Sequence, residues 1–81
     1  ASGVSRKRID VVALVRGAYW VIEIKPFGSM TALGQAITYS RLFRQEYAKG
    51  AEVVPVVVCD SADPDMLDEF EEYGVEILTN I

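Results

Sequence analysis

The sequence predicts an α/β domain with a mixed sheet and helices packed on it, in the order β-β-α-β-α-β. Three observations predict it. Residues 9–15, 19–25 and 52–59 are dense in Val and Ile, the composition of strands. Between the second and third runs, apolar residues recur at helical spacing over residues 31–48. Turn and cap residues (Arg16-Gly17, Pro26, Gly50, Asp63-Pro64, Gly74) fall between the periodic segments. At 81 residues the chain has room for one small domain, spanning 1–81, with a marginal core.

The first strand, Ile-Asp-Val-Val-Ala-Leu-Val, ends at the tight-turn signal Arg16-Gly17. Tyr-Trp-Val-Ile-Glu-Ile-Lys returns from it, and Pro26 is expected to end that strand. Phe27-Gly28-Ser29 reads as a loop. The long helix runs from Thr31 to about Ala48, with Leu33, Ala36, Ile37, Ser40, Phe43 and Tyr47 as its packing stripe. Val-Val-Pro-Val-Val-Val-Cys then reads as a strand buried on both faces. Its Pro55 implies an edge or a missing ladder bond. Asp63 is expected to cap a second helix whose first residue is Pro64. Leu67, Phe70 and Tyr73 form its apolar stripe, and Gly74 stops it. Residues 75–78 form a last short strand. Cys59 ends a buried strand and reads as core.

Composition removes several functional classes. One cysteine excludes a disulfide framework, and with no histidine a structural zinc site or a His-based triad is excluded too. The common nucleotide-binding glycine loops are absent. No apolar run is long enough to span a bilayer and no secretory signal is visible, so a soluble cytoplasmic protein is expected. The net charge of −4 conceals a split: residues 1–50 carry all eight basic residues and three acids, whereas residues 51–81 carry nine acids and no base. Such asymmetry suggests a polyanion-facing half and a solvating or partner-facing half. An acidic solubility face would read the same way. The aspartates at 60, 63, 65 and 68 lack the glycine and terminal glutamate of a calcium loop.

The hairpin concentrates the chemistry. A two-residue turn at Arg16-Gly17 pairs Val15 with Ala18 and carries Asp10 opposite Glu23. Directly opposed Cβ atoms lie about 4.5–5.5 Å apart. Lys25, two residues beyond Glu23, falls on the same face. Opposed carboxylates repel unless a cation lies between them. Mg²⁺ suits such a place because it takes hard oxygen ligands, often one or two carboxylates with water and phosphate. It lowers the pKa of bound water, and a neighbouring ammonium can stabilise charge on a phosphate. This chemistry fits phosphodiester hydrolysis. A solvated cross-strand charge cluster is the structural alternative.

These residues resemble the PD-(D/E)XK nuclease superfamily. The motif is Arg8-Ile9-Asp10 followed by Ile22-Glu23-Ile24-Lys25-Pro26, with Ile9 where the name has Pro. Gln35-Ala36-Ile37-Thr38-Tyr39 then resembles the Q-x-x-x-Y helix motif of the RecB-type branch. The resemblance spans residues 8 to about 59 and implies a minimal restriction-endonuclease-like core. It implies that Asp10, Glu23 and the Ile24 carbonyl hold Mg²⁺ or Mn²⁺, that Lys25 assists the attacking water, and that Gln35 and Tyr39 complete the pocket. Tyr39 would also face the nucleic acid. Gln35 and Tyr39 are i,i+4 neighbours on one helix face, a geometry that equally suits a capping hydrogen bond and a packed sheet margin. Many members carry an acidic residue on a preceding helix, and this chain has no acid before Asp10; an N-terminal helix and strand of the full core are expected to be missing.

Arg6, Lys7 and Arg8 lead into Asp10, and Arg41, Arg44 and Lys49 lie on the long helix. Both sets are candidate phosphate contacts, which supply affinity without sequence information. The expected activity is a metal-dependent deoxyribonuclease acting on DNA. The alternatives are a catalytically silent nucleic-acid-binding or assembly module of the same fold, and a domain whose acidic half docks on a partner. The small core favours a homo-oligomer or a place in a larger assembly under each.

Overall fold

A computed structural model describes residues 9–80. It has six elements in the predicted order: β1 (Val11–Val15), β2 (Ala18–Phe27), α1 (Met30–Tyr47), β3 (Val53–Ser61), α2 (Pro64–Glu72) and β4 (Glu76–Thr79). The four strands form one mixed sheet in the order β1-β2-β3-β4, with β1 antiparallel to β2 and the rest parallel. The candidate contacts at Arg6, Lys7 and Arg8 lie outside the described residues.

The hairpin register is set by its turn. Arg16 and Gly17 both take positive φ, 51° and 85°. That is the backbone of a two-residue primed turn, whose twist matches that of paired strands. Val15 therefore pairs with Ala18, and the ladder runs unbroken to Val11 opposite Ile22. β2 continues through Pro26 to Phe27, two residues beyond the expected end. Proline is tolerated there because β1 stops far short and Pro26 itself forms no pair with β3.

Strand alternation and burial assign the two faces of the sheet. Tyr19 packs against Phe43 of α1 with the rings tilted at 58° and their centroids 5.5 Å apart. Tyr19, Val21, Glu23 and Lys25 therefore face the helices, together with their β3 partners Val53, Pro55, Val57 and Cys59. The core joins Ala32, Leu33 and Ala36 of α1 to Val57, Cys59, Phe70 and Val75, with Ile37, Met66 and Ile77 packed against it. Both helices thus cover the same face. Right-handed β-α-β crossovers between parallel strands that advance in one direction produce this arrangement.

Three local expectations are corrected. β3 is not buried on both faces: Val56 and Val57 are fully buried, but Val54 and Val58 are only half-covered because no layer lies on the second face among the described residues. On α2 it is Met66 and Phe70 that enter the core, while Leu67 and Tyr73 are exposed; the short helix touches the sheet along one narrow line. Asp63 is the N-cap residue of α2 but makes no side-chain cap bond, and its carbonyl receives the Met66 and Leu67 amides. The cap on α1 is Ser29, whose hydroxyl accepts from the Ala32 amide at 3.2 Å. Pro55 sits in a central strand, just before the point where β4 begins to pair at Val56, so no ladder partner is lost on that side.

Candidate metal and phosphate site at the hairpin mouth

The site lies where β1 leaves the ladder. Val11 is the last residue of β1 to pair, and Asp10 forms a bend one step beyond it. Continuing the register places Asp10 across from Glu23, as the sequence predicts. The ladder does not simply extend, however. The Asp10 side chain takes over the strand's role: its Oδ2 accepts the Ile24 amide at 2.9 Å. The Asp10 amide in turn lies close enough to the Glu23 carboxylate to favour its charged form. The Asp10 carboxylate is thus tied to the backbone of the residue after Glu23, and the Glu23 carboxylate feels both the Asp10 charge and the Asp10 amide. Because N–H and C=O of one strand residue point to the same side, the Ile24 carbonyl also opens toward Asp10.

Glu23 is the unusual member. It sits on the helix face of a central strand and is 1% exposed, the only fully buried charged residue among those described. Its Oε2 has no hydrogen-bond partner. Burial pushes its carboxyl above the ordinary carboxylate range, and the neighbouring Asp10 charge pushes it further; Lys25 and the Asp10 amide pull it back. Lys25 is half-buried on the same face, so the three charges converge as the register requires.

The helix brings the remaining candidates to this face. α1 runs antiparallel to β2, with Phe43 over Tyr19. Eight residues back along a helix is about 12 Å, and four residues along a strand is about 13 Å. Gln35 therefore lies at about the level of Glu23, and Tyr39 about a turn further along. Both are half-buried, and Gln35 Oε1 is buried with no hydrogen-bond partner. Two unpartnered buried polar atoms thus project from the two elements that bound the same layer. Arg41, Arg44 and Lys49 are exposed on or just after α1.

A groove of about 260 Å³ flanks the site, lined by Ile9, Asp10, Val11, Val12, Phe43 and Tyr47. Helical spacing places Phe43 and Tyr47 on the packing stripe alone. Their i,i+4 spacing near the end of α1 is the available signal: the tilted rings pack at 5.5 Å and wall the space beside Asp10. Cys59 is buried core as expected, and burial pushes its thiol upward.

The donor set fits a hard divalent cation. It offers the unpartnered Glu23 Oε2, the second oxygen of Asp10 and the Ile24 carbonyl, all oxygen ligands. Among the described residues no group of three or more His, Cys, Asp or Glu side chains sits together. Two carboxylates are the usual protein contribution to a Mg²⁺ site whose other ligands are water and substrate phosphate. No protein-family model matches the chain, and no curated protein or solved structure matches it significantly.

Proposed function

We propose that the chain is a metal-dependent deoxyribonuclease of the PD-(D/E)XK kind, hydrolysing DNA phosphodiester bonds with Mg²⁺ or Mn²⁺. The observation that carries this reading is Glu23: a buried carboxylate with one orphaned oxygen, across from a second carboxylate and beside an amine. A fold has no stabilising use for that arrangement, because a buried charge without a partner costs free energy. A buried carboxyl raised by desolvation and by a specific charge partner is the kind of group that favours a functional site over a structural one.

In this reading Asp10, Glu23 and the Ile24 carbonyl hold the cation. The bound ion supplies Lewis acidity toward phosphate and a more acidic water. Lys25 presents its ammonium to the attacking water and to the charge that builds on phosphate. The hydrogen bond from the Ile24 amide fixes the Asp10 carboxylate before substrate arrives. Gln35 directs its free amide oxygen into the same layer and positions Lys25 or substrate. Tyr39 faces the DNA, and Arg6, Lys7, Arg8, Arg41, Arg44 and Lys49 supply phosphate contacts. The protein works in the cytoplasm and as an oligomer or part of an assembly. Among the described residues no helix is long and apolar enough to cross a membrane.

The test is cleavage of supercoiled, linear, single-stranded and branched DNA with Mg²⁺ or Mn²⁺, compared with Lys25→Ala and Asp10→Asn. Loss of about 10²–10³-fold is expected for Lys25→Ala, the range for removing one electrostatic stabiliser. Cleavage that survives in both variants refutes the assigned roles. Metal-independent DNA binding without cleavage moves the reading to a silent module of the same fold.

A further inference from the structure

β1 is an edge strand, and nothing pairs with its outer side among the described residues. All five of its residues are apolar, and Leu14 is 65% exposed, Val12 41% and Val11 40%. It carries no lysine, proline or inward charge within it, the usual devices that keep an edge from recruiting another strand.

We infer that β1 pairs antiparallel with β1 of a second copy, centred on Ala13, joining two four-stranded sheets into one of eight strands. The hydrogen-bond parity of the hairpin permits few registers. The turn closes on Val15 and Ala18, so Val15, Ala13 and Val11 direct their backbone groups toward β2. Val12 and Leu14 direct theirs outward. An outer partner must match outward groups with outward groups, which leaves centres on Val12, Ala13 or Leu14. Only the centre on Ala13 pairs all five residues, setting Val12 against the partner's Leu14 and Val11 against the partner's Val15.

Two further features select this register. It sets Asp10 across from the partner's Arg16, and by symmetry does so twice, so the described charge nearest each end of the strand meets one of opposite sign. It also gives Leu14 a receptor. Val12 and Leu14 lie on the helix face, because Val12 pairs with Val21 and Leu14 with Tyr19. Directly opposed residues share a face, so the partner's Leu14 arrives beside Val12, at the mouth of the groove of about 260 Å³ walled by Val12, Phe43 and Tyr47. The most exposed side chain of the strand and the apolar groove beside it are then each other's occupants. The two-fold axis stands perpendicular to the sheet at Ala13, and the helices of both copies lie on one side. This interface does not depend on the nuclease reading.

Light scattering on the full chain at its highest soluble concentration tests the idea. Twice the monomer mass of 9.0 kDa is expected, falling to the monomer mass in Leu14→Lys with the circular dichroism spectrum retained. Register is read by oxidation of Ala13→Cys and, separately, Val12→Cys. Opposed residues at a non-hydrogen-bonded position have Cα atoms about 4.5 Å apart, within disulfide reach. Ala13→Cys should cross-link to a dimer. Val12→Cys, two residues off its own copy, should not, and the parent with its buried Cys59 should stay uncross-linked. A parent that stays monomeric at every concentration overturns the inference, and so does Val12→Cys cross-linking as fast as Ala13→Cys. The cross-linking arm decides the matter even if Leu14→Lys fails to fold.

Discussion

Glu23→Gln gives the sharpest test of the site, because it should stabilise the metal-free protein. The wild-type carboxylate is buried, has one unpartnered oxygen and feels the Asp10 charge. An amide of the same shape removes the buried charge and offers its NH₂ toward the Asp10 carboxylate. Leaving a buried polar group unsatisfied costs about 1–3 kcal/mol. Unfolding entropy near 2.1 cal/mol/K per residue gives about 170 cal/mol/K for 81 residues. The variant should therefore melt about 6–18 °C higher at pH 8 in EDTA. The sign with pH follows from the raised carboxyl. The folded state binds a proton more tightly than the unfolded chain, so wild-type stability is intact below the ordinary glutamate range and falls as pH rises through the folded-state value. The gap between variant and wild type should close on acidification to about pH 4, near the ordinary glutamate pKa. Adding Mg²⁺ at neutral pH should raise the wild-type melting temperature and leave the variant unmoved, since only a cation that binds the native state stabilises it. Thermal melts by circular dichroism across pH 4–8, with EDTA or Mg²⁺, measure all of this. A variant no more stable than wild type at pH 8, or a gap that does not shrink in acid, refutes the account of Glu23.

Two glycines should respond in opposite directions to alanine. A Cβ on Gly28 would sit 2.7 Å from Ile77 Cδ1 and 2.9 Å from Ala62 Cβ, so Gly28→Ala should destabilise by about 1–3 kcal/mol in denaturant melts. A Cβ on Gly34, inside α1, meets nothing within 4 Å, so Gly34→Ala should stabilise by about 0.8–1 kcal/mol. Phe70 is fully buried at the centre of the core, and Phe70→Ala should cost about 3–5 kcal/mol. A domain of this length holds only about 4–12 kcal/mol in total; the substitution should therefore remove a large share of it, visible as a much lower melting temperature.

The hairpin was legible because one dipeptide decides it. Once Arg16-Gly17 is a two-residue turn, every opposition along the ladder follows, Asp10 to Glu23 included. The bend at Asp10 was not legible, because a side chain replacing a strand's own hydrogen bond leaves no composition signal. The run in β3 misled for a related reason. A continuous apolar strand implies two covered faces, yet among the described residues both helices lie on one side and the other side is closed by neighbouring side chains. Periodicity placed α2 correctly but not its rotation. Leu67 and Phe70 are three apart and Met66 and Phe70 four, both compatible with one stripe, and only the packing against Val57 and Cys59 decides between them.

Local choices in this chain mostly agree with the fold: a primed turn where strands reverse, a serine cap on α1, a proline opening α2, a Cβ-free residue where β2 meets Ile77 and Cys59. Glu23 is where they disagree. Its strand neighbours Val21 and, across β3, Val57 are both fully buried, and a valine or isoleucine in its place would continue that layer without an unpartnered oxygen. The conflict also has a direction. Asp10 leaves the ladder and brings a second negative charge to the one buried acid, which an arrangement selected for stability alone would separate. Consistency elsewhere makes the exception informative, since violations of local rules concentrate at functional or strained sites. A positive ion is the partner that makes the pair of carboxylates favourable, and the Glu23→Gln melts ask whether the free energy is stored there.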